Sequence, residues 1–474
     1  MKSAYFFISL LFGICFLDSC DLKVIPDEVD ATLSKRPVAS FTVSLSSDFA
    51  PSLVTFTNTS TNAKTYSWDL GDGTTDKRTS LSKTYPNAGS YNVRLIVKDS
   101  LNNADTLVKI VTLRQHGFDT LDGNFGPIKK VIALSNGEFV MAGTTYLTNP
   151  TRSEAYIMKR DGFGRIISSF TQKFTILNST SNEVNDLILL SDGSFGICGT
   201  TLSGTNTDAF FIKIKVDGTV YSAKFGNAAR DDAAQCMVEA ADGYVIFGGY
   251  TTTVATRKDA WITKRNPNAI TDLRFDSTYT AINSEQLNDL IIATDGSLMA
   301  VVNSVPNTGS VQTFMLKTNA IGLTSGGYPK PIGQTNDYNY GKSLEIISAN
   351  RLVISGKINP AGAQRKGWIM VTDANGVVTN GFPPNFGTDA ELFDAQEFTA
   401  NGSNGWVSVG LKGNSAWFLK LSQLGTILAD VTFGTVNTNV FYAIRPLSDG
   451  GFIMVGGKAG VAYMVRTDSD GKVQ

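Results

Sequence analysis

The sequence predicts an all-β protein in which a β-sandwich precedes a seven-bladed β-propeller. Three observations support this fold class. Glycine accounts for 45 of 474 residues and charged residues for only 18%, a composition typical of turn-rich β structure. Short β-branched and aromatic runs alternate with turn residues along the chain. A strand–turn–strand unit also recurs seven times, about every 50 residues, without a helical period.

Residues 1–19 are predicted to be a lipoprotein signal peptide. The apolar stretch 4–17 is shorter than the roughly 18 residues that span a bilayer, and small residues follow it. The segment Leu17-Asp18-Ser19-Cys20 resembles the lipobox of bacterial lipoproteins, in which the cysteine thiol receives a diacylglycerol and becomes the mature N-terminus. This resemblance implies lipidation of Cys20, although Asp18 replaces the usual small residue. The alternative is a conventional signal peptide followed by an ordinary cysteine.

Residues 20–36 are predicted to form a flexible tether, because they are polar and acidic and lack strand alternation. Acidic residues close to the lipidated cysteine resemble the surface-export signal of Bacteroidota lipoproteins. That resemblance implies an outer-membrane location, lipid-anchored, on the cell surface. Beyond this region the chain has only Cys198 and Cys236, both within apolar strand-like runs. They are expected to be buried free thiols, with a single bridge between them as the alternative.

Residues 37–114 predict an antiparallel sandwich, because short β-branched and aromatic runs are separated by Ser, Asn, Asp and Gly. The turn Trp68–Gly73 and the segment Tyr85–Val97 resemble the hallmarks of the PKD (polycystic kidney disease) domain, with Leu70 in place of the usual Phe and Lys83 where many members have His. The resemblance implies a spacer or a protein- or glycan-binding module. Asp69 and Asp72 are expected to bond turn amides rather than to form a catalytic or calcium site.

Residues 115–474 predict the propeller. Each of the seven units begins with two strands joined by an Asp-Gly-type turn, and an aromatic-led strand, a second turn and a fourth strand follow. The turn positions are Gly137, Gly193, Gly243, Gly296, Asn350, Gly405 and Gly450. The seventh unit has no fourth strand, whereas an unpaired Phe125-Gly126 precedes the first unit. Residues 118–126 are therefore expected to supply the outer strand of the last blade and to close the ring.

The repeat region resembles the delta-60-type and related Asp-Gly-repeat propellers of secreted bacterial proteins, a likeness that implies an architecture rather than an activity. In a four-stranded blade the Asp-Gly-type turns lie on one face, and the longer, variable loops lie on the other, where propellers usually bind ligands. The candidate binding residues on that loop face are Tyr146, Arg152, Tyr250, Arg257, Asp337, Tyr338, Tyr340 and Arg365.

A ring of polar residues around the central channel is also expected, because the position eight residues before each turn glycine is polar in most units. Its predicted members are Lys129, Asn185, Gln235, Asn288, Lys342, Asp394 and Tyr442, where Asp394 assumes that Asn401-Gly402 is the turn of the sixth unit. Hydrogen bonding and trapped water explain such a ring at least as well as a ligand does.

Composition narrows the function classes. The net charge of −1 argues against a nucleic-acid partner, which needs a basic surplus. The single histidine, His116, leaves little material for His-based catalysis or metal sites, and the sequence contains no phosphate-binding loop. We therefore expect no catalytic residues, metal or cofactor. The expected function is a non-catalytic binding or scaffold module for a protein or glycan; the alternative is a carbohydrate-active enzyme that uses carboxylates on the propeller loops.

Overall fold

The structure is a computed structural model that describes residues 36–473, apart from 51, 116, 149–150, 177–178, 255–256, 281–282, 307–308, 334–336, 348–350, 361–362, 379–384, 401–402 and 435–438. The predicted signal peptide, Cys20 and most of the predicted tether lie outside the described residues, as does His116. The chain divides into two compact units between Leu113 and Arg114. The described part contains no helix long and apolar enough to cross a membrane.

The first unit is a β-sandwich. Its strands are β1 (Phe41–Leu45), β2 (Phe49–Ala50), β3 (Ser52–Asn58), β4 (Thr65–Asp69), β5 (Thr75–Asp76), β6 (Leu81–Tyr85), β7 (Gly89–Lys98) and β8 (Ala104–Gln115). A three-stranded sheet of order β1-β3-β6 faces a five-stranded sheet of order β2-β8-β7-β4-β5. Trp68 lies at the centre of the buried core, where its ring is 5.0 Å from Phe41 and 5.7 Å from Phe56.

The Gly-Asp-Gly turn of this unit is held by its own carboxylates, as predicted. Asp69 accepts a hydrogen bond from the Gly71 amide at 3.1 Å, and Asp72 accepts one from the Thr74 amide at 3.0 Å. Asp72 also pairs with Lys83 at 2.8 Å. Gly71 has φ of +74°, a conformation that glycine adopts without a steric penalty. Both aspartates are therefore explained by the local structure of the turn.

The second unit consists of seven four-stranded antiparallel sheets, so the fold class predicted from the sequence is confirmed. Blades 1 to 4 comprise β10 (Ile128–Ala133), β11 (Phe139–Thr148), β12 (Thr151–Arg160), β13 (Gln172–Phe174); β14 (Ser181–Leu189), β15 (Phe195–Ser203), β16 (Asn206–Ile214), β17 (Val220–Phe225); β18 (Asp232–Glu239), β19 (Val245–Val254), β20 (Arg257–Asn266), β21 (Ala269–Tyr279); β22 (Ser284–Ile292), β23 (Leu298–Val305), β24 (Gln312–Thr318), β25 (Lys330–Ile332).

The remaining blades complete the ring. Blades 5 to 7 comprise β26 (Tyr338–Ile347), β27 (Arg351–Asn359), β28 (Lys366–Thr372), β29 (Asn385–Phe386); β30 (Ala390–Ala400), β31 (Ser403–Lys412), β32 (Ser415–Ser422), β33 (Ile427–Phe433); and β34 (Asn439–Pro446), β35 (Phe452–Lys458), β36 (Val461–Thr467), β9 (Phe118–Asp122). Apolar clusters between neighbouring sheets form the core. The aromatic-led third strands contribute to these clusters, as expected of packing between blades.

The ring is closed by strand exchange between its two ends. β9 pairs antiparallel with β36, with Phe118 opposite Arg466 and Asp122 opposite Ala462. The predicted closure by residues near 118–126 is confirmed, with the strand itself limited to Phe118–Asp122. A buried ion pair of 3.2 Å joins Asp122 to Arg160 of blade 1, so this strand also fixes the boundary between the first and last blades.

The Asp of each Asp-Gly-type turn has two partners, which explains why an acidic residue recurs there. Asp192 accepts a hydrogen bond from the Ser194 amide at 3.0 Å and pairs with Lys213 of β16 at 2.7 Å. Three further blades repeat the ion pair, in Asp242–Lys264, Asp295–Lys317 and Asp449–Arg466. Each turn is thereby tied to the third strand of its own blade.

Every inner strand carries a β-bulge at the same position. In six blades a glycine of the second strand faces the residue that precedes the bulge: Gly143, Gly199, Gly249, Gly356, Gly410 and Gly456. A β-carbon at any of these glycines would overlap a backbone carbonyl oxygen of the bulged strand or, at Gly143, that of Pro127 immediately before it. Val302 occupies the position in blade 4. The repeated glycines therefore allow close approach of two backbones.

Cys198 and Cys236 are both buried free thiols, as expected. Burial raises the pKa of each thiol well above its usual range, because the thiolate would lose its hydration. The bridge that was considered as an alternative is absent between these two described residues.

Candidate ligand site at the channel mouth

The seven bulged residues line the central channel, and all are half-buried. They are Lys129, Asn185, Gln235, Asn288, Lys342, Phe393 and Tyr442. Six of them are the residues predicted from the sequence. The prediction of Asp394 was wrong by one position, because the first two strands of blade 6 remain paired as far as Ala400 and Ser403. That hairpin is tighter than the others and its first strand is longer, so counting eight residues back from Gly402 stops one residue short of the bulge.

Four of the bulged residues contact one another in sequence around one side of the channel. The Lys342 ammonium lies 5.3 Å from the Phe393 ring, the rings of Phe393 and Tyr442 are 5.2 Å apart, and the Lys129 ammonium lies 4.1 Å from the Tyr442 ring. Aromatic faces attract cations at these distances. Blades 5, 6, 7 and 1 thus present a continuous arc in which two aromatic rings lie between two cationic groups.

A buried carboxylate anchors three cations beside this arc. Glu391 lies 3.6 Å from Lys342, 3.3 Å from Lys357 and 3.3 Å from Arg365. The side chain of Glu391 is 7% exposed, whereas the three cationic side chains are 23–29% exposed. Arg365 also reaches Asp389 at 2.9 Å. The carboxylate is enclosed by the protein, and the cationic groups above it face solvent.

Tyr146 and Glu183 complete the site on the blade 1 and 2 side. The Tyr146 hydroxyl donates a hydrogen bond to Glu183 at 2.8 Å. Burial raises the pKa of Tyr442, and the charges of Glu391 and Glu183 raise it further. Burial lowers the pKa of Lys129, an effect that Glu183 opposes and Lys342 reinforces. Glu183 therefore acts on both Lys129 and Tyr442, and Glu391 acts on Tyr442 from the other side. We call this group of side chains the channel mouth.

Below the channel mouth, aspartates of the even-numbered blades accept hydrogen bonds from backbone amides of the next blade. We call these contacts the aspartate braces. Asp186 accepts a hydrogen bond from the Met237 amide at 2.9 Å, Asp289 from the Leu344 amide at 2.8 Å, and Asp394 from the Ile444 amide at 3.0 Å. The equivalent positions of blades 3, 5 and 7 hold the small residues Cys236, Ser343 and Ala443. Three pairs of blades are joined in this way at the channel.

A repeated dipeptide in the sequence corresponds to these contacts. Asn185-Asp186 and Asn288-Asp289 are the same dipeptide, each followed by Leu, in the second and fourth repeats. Both asparagines also bond to the next blade, through the carbonyl oxygens of Ala234 at 2.8 Å and Gly341 at 2.7 Å. A repeated Asn-Asp pair on alternate inner strands therefore indicates contacts between blades.

The channel carboxylates have structural partners, which accounts for their burial. Desolvation raises the pKa of Asp289 to about 7, and the neighbouring Asp186 adds to the effect, while Lys130 opposes it. Each carboxylate oxygen of Asp289 accepts a hydrogen bond from a backbone amide, one from Leu290 at 2.9 Å and the other from Leu344 at 2.8 Å. Lys130 pairs with Asp186 at 3.4 Å, and Arg445 pairs with Asp394 at 2.8 Å. These groups hold the inner strands together.

The structure brings some of the predicted binding residues together and separates others. Tyr340 lies beside Lys342 and Lys357, at 4.7 and 5.6 Å from the two ammonium groups. Tyr338 begins the same strand and is half-buried; burial raises its pKa, and Tyr340 and Glu391 add to the effect. With Arg365 and Tyr146, these residues belong to the channel mouth. Lys357, Glu391 and Phe393 were not among the predicted residues, although Lys357 directly follows the bulge-facing Gly356.

The other candidates have protein partners outside the channel mouth. Arg152 pairs with Glu154 at 2.8 Å, and Arg257 lies 3.4 Å from Asp259. The Tyr250 ring is 3.8 Å from the Lys258 ammonium. Asp337 uses its carbonyl oxygen to accept a bond from Gln312 at 2.9 Å. We do not include these residues in the candidate site.

A separate groove lies on the turn face between blades 4 and 5. It has a volume of about 410 Å³ and is lined by residues that include Lys317, Tyr328 and Asn375. Lys317 pairs with Asp295 at 3.1 Å, and the Tyr328 hydroxyl bonds to the Asn375 carbonyl oxygen at 2.8 Å. These polar groups are satisfied by the protein itself, so the channel mouth remains the stronger candidate.

Comparisons with known proteins identify the first unit. Residues 34–113 match the family model of the PKD domain, so this part of the chain is a PKD domain. The structure is similar to the PKD1 domain of the Vibrio cholerae metalloprotease PrtV, at 30% identity over 17% of this chain and 98% of that domain, with a TM-score of 0.15. A comparison with curated protein sequences finds no match.

The comparison also finds larger structures similar to most of this chain. One is a protein of unknown function from Dyadobacter fermentans, at 10% identity over 74% of this chain and 98% of that chain, with a TM-score of 0.42. Another comprises extracellular domains 1–2 of Drosophila Semaphorin 1a, at 9% identity over 74% of this chain and 88% of that chain, with a TM-score of 0.44.

Proposed function

We propose that this chain, a PKD domain followed by a seven-bladed propeller, is a lipid-anchored protein of the outer membrane that binds a glycan or a protein at the cell surface without transforming it. The binding site is the channel mouth on the loop face of the propeller. The PKD domain serves as a spacer or as an additional binding module.

The observation that carries the proposal is the chemistry of the channel mouth. Aromatic and charged side chains from blades 1, 2, 5, 6 and 7 converge there, and the bulged residues among them are half-buried. Sites of this kind combine apolar surface with a few fixed polar groups that orient a ligand. Aromatic rings and arginine are also the groups that contribute most binding energy at protein interfaces.

The engagement of the carboxylates favours binding over catalysis. Glu391 is surrounded by three cations, and Glu183 accepts a hydrogen bond from the Tyr146 hydroxyl. A glycoside-cleaving pair needs one carboxyl group that is protonated and able to donate to the leaving oxygen. Both carboxylates are instead engaged by protein groups within 2.8–3.6 Å. A carbohydrate-active enzyme is the alternative that the binding experiment below distinguishes.

Changing Cys20 to Ala is expected to release the protein from membranes. One acyl chain contributes about 0.8 kcal/mol per buried CH₂ and anchors only marginally, so stable attachment depends on the two or three chains that a lipidated cysteine carries. The full chain and the Cys20→Ala variant would be expressed in a bacterium that processes lipoproteins, and the membrane and soluble fractions compared. Cys15→Ala, in the same N-terminal segment, is the control. Continued membrane association of Cys20→Ala would contradict the anchor.

The binding function is tested by screening the chain from residue 21 onward, which contains every described residue. It would be presented to a glycan array and to purified surface proteins, with product formation followed in parallel. We expect binding that falls at least tenfold in Tyr340→Ala and persists in Phe163→Ala, an exposed aromatic on the turn face. Turnover that Glu391→Gln or Glu183→Gln abolishes would favour the enzyme instead.

A further inference from the structure

The cations at the blade 5 and 6 side of the channel mouth exceed their carboxylate partners. Lys342, Lys357 and Arg365 surround Glu391, and among the ion pairs of the described residues Arg365 has a second carboxylate, Asp389, at 2.9 Å. Three positive charges therefore face two negative ones in this cluster. Because Glu391 is buried beneath the cations, the excess charge is presented toward solvent.

The geometry of the cluster leaves the cations available to another anion. The distances from Glu391 to the two ammonium groups, 3.6 and 3.3 Å, are longer than the 2.7–2.9 Å of a strong charge-assisted hydrogen bond. Each of the three cationic side chains also keeps about a quarter of its surface exposed. A carboxylate or sulfate arriving from solvent can therefore bind the same groups from the opposite side.

Aromatic rings flank the cations and define the rest of the ligand. Tyr340 packs against Lys342 and Lys357, and Phe393 packs against Lys342 on the other side. Both rings belong to inner strands that line the channel. Aromatic side chains at a binding surface offer an apolar face together with a polar edge, which suits the C–H face of a sugar ring.

We infer that the channel mouth binds an acidic saccharide, with its carboxylate or sulfate held by Lys342, Lys357 and Arg365 and a sugar ring against Tyr340. This inference rests on the proposed binding function and narrows it to one ligand class. Long-range electrostatic attraction between the exposed cations and the acidic saccharide contributes to binding. Because dissolved salt screens this attraction, the affinity falls as the salt concentration rises.

The inference is tested by titration calorimetry on the chain from residue 21 onward. The probes are oligogalacturonate, which carries carboxylates, chondroitin sulfate oligosaccharides, which also carry sulfates, and neutral malto-oligosaccharides. We expect an acidic probe to bind at least tenfold more tightly than the neutral one. Binding should weaken at least tenfold in Arg365→Gln and in Lys357→Gln, and the two acidic probes show which anionic group is preferred.

Two further variants make the test specific. Lys412→Gln is the matched control, because Lys412 also pairs with a carboxylate, Asp430 at 2.8 Å, and lies 5.5 Å from the Trp417 ring, but outside the channel mouth. It should leave binding unchanged. Glu391→Gln removes the internal counter-ion and should strengthen binding of the acidic probe about threefold or more. Circular dichroism of each variant confirms that it is folded.

The outcomes separate this inference from the proposed function. Binding of a neutral saccharide or a purified protein that requires Tyr340 but tolerates Arg365→Gln would overturn the acidic-saccharide inference and leave the binding function standing. Acidic binding that Lys412→Gln weakens as much as Arg365→Gln would overturn the inference as well, because it would show attraction to any surface cation. If no glycan or protein binds in a manner that depends on the channel mouth, both proposals fail.

Discussion

Replacing Phe118–Asp122 with a glycine–serine segment of equal length is expected to destabilise the propeller by about 5 kcal/mol or more. The replacement removes the whole pairing between β9 and β36 and leaves β36 as an open sheet edge. It also removes Asp122 from Arg160, and an uncompensated buried charge alone costs about 3–5 kcal/mol. Differential scanning calorimetry of the chain from residue 21 onward would measure the effect.

The experiment has an internal and an external control. The PKD domain contains none of the replaced residues, so its own unfolding transition should not move. Leu121→Ala changes a half-exposed side chain in the same strand and should alter stability by no more than about 0.5 kcal/mol. A propeller transition that stays in place after the five-residue replacement would show that closure by β9 does not stabilise the ring.

Gly249→Ala is expected to destabilise the propeller by about 3 kcal/mol or more. A β-carbon at this position would overlap the carbonyl oxygen of Ala233, which belongs to the backbone and has no rotamer to relieve the clash. The two strands must separate or the bulge must shift, and either response breaks ladder hydrogen bonds next to the channel.

The matched control for this substitution is Gly326→Ala. A β-carbon at Gly326 meets no atom within 4 Å, and its φ is not in the left-handed region. Its effect should lie within about 0.5 kcal/mol, since the new methyl group faces open space. Urea unfolding curves of the two variants, followed by tryptophan fluorescence, give the comparison. Equal midpoints for Gly249→Ala and the unaltered chain would show that the backbones do not need to approach so closely.

The fold was predictable because the sequence patterns that specify it are local and recur at a regular spacing. Each repeat carries its own turn and alternating strands, so seven weak signals at one spacing reinforce each other. The strand exchange at the ring closure was predictable for a similar reason, since one strand was missing at the end and one was in excess at the start. Phe118 and Asp122 bound the strand that fills that place.

The candidate site was only partly predictable, because its contacts join residues of different blades. Lys357 and Glu391 are 34 positions apart and meet because the first strand of blade 6 packs beside the second strand of blade 5. Repeat periodicity gives the position of a residue within its own blade but does not reveal which loops converge. Phe393 was missed for a smaller reason, since the tight hairpin at Ala400 and Ser403 shifts the register by one residue.

The aspartate braces join the blades in pairs, and a ring of seven blades cannot be divided into pairs. They join blade 2 to 3, 4 to 5 and 6 to 7, and an odd number of blades leaves blade 1 without such a partner. Both boundaries of blade 1 instead carry ion pairs between side chains, Lys130–Asp186 toward blade 2 and Arg160–Asp122 toward blade 7. Blade 1 is therefore distinct in a nearly symmetric ring, because neither of its boundaries has an aspartate brace. One of these boundaries, with blade 7, is also where the first and last strands of the propeller meet.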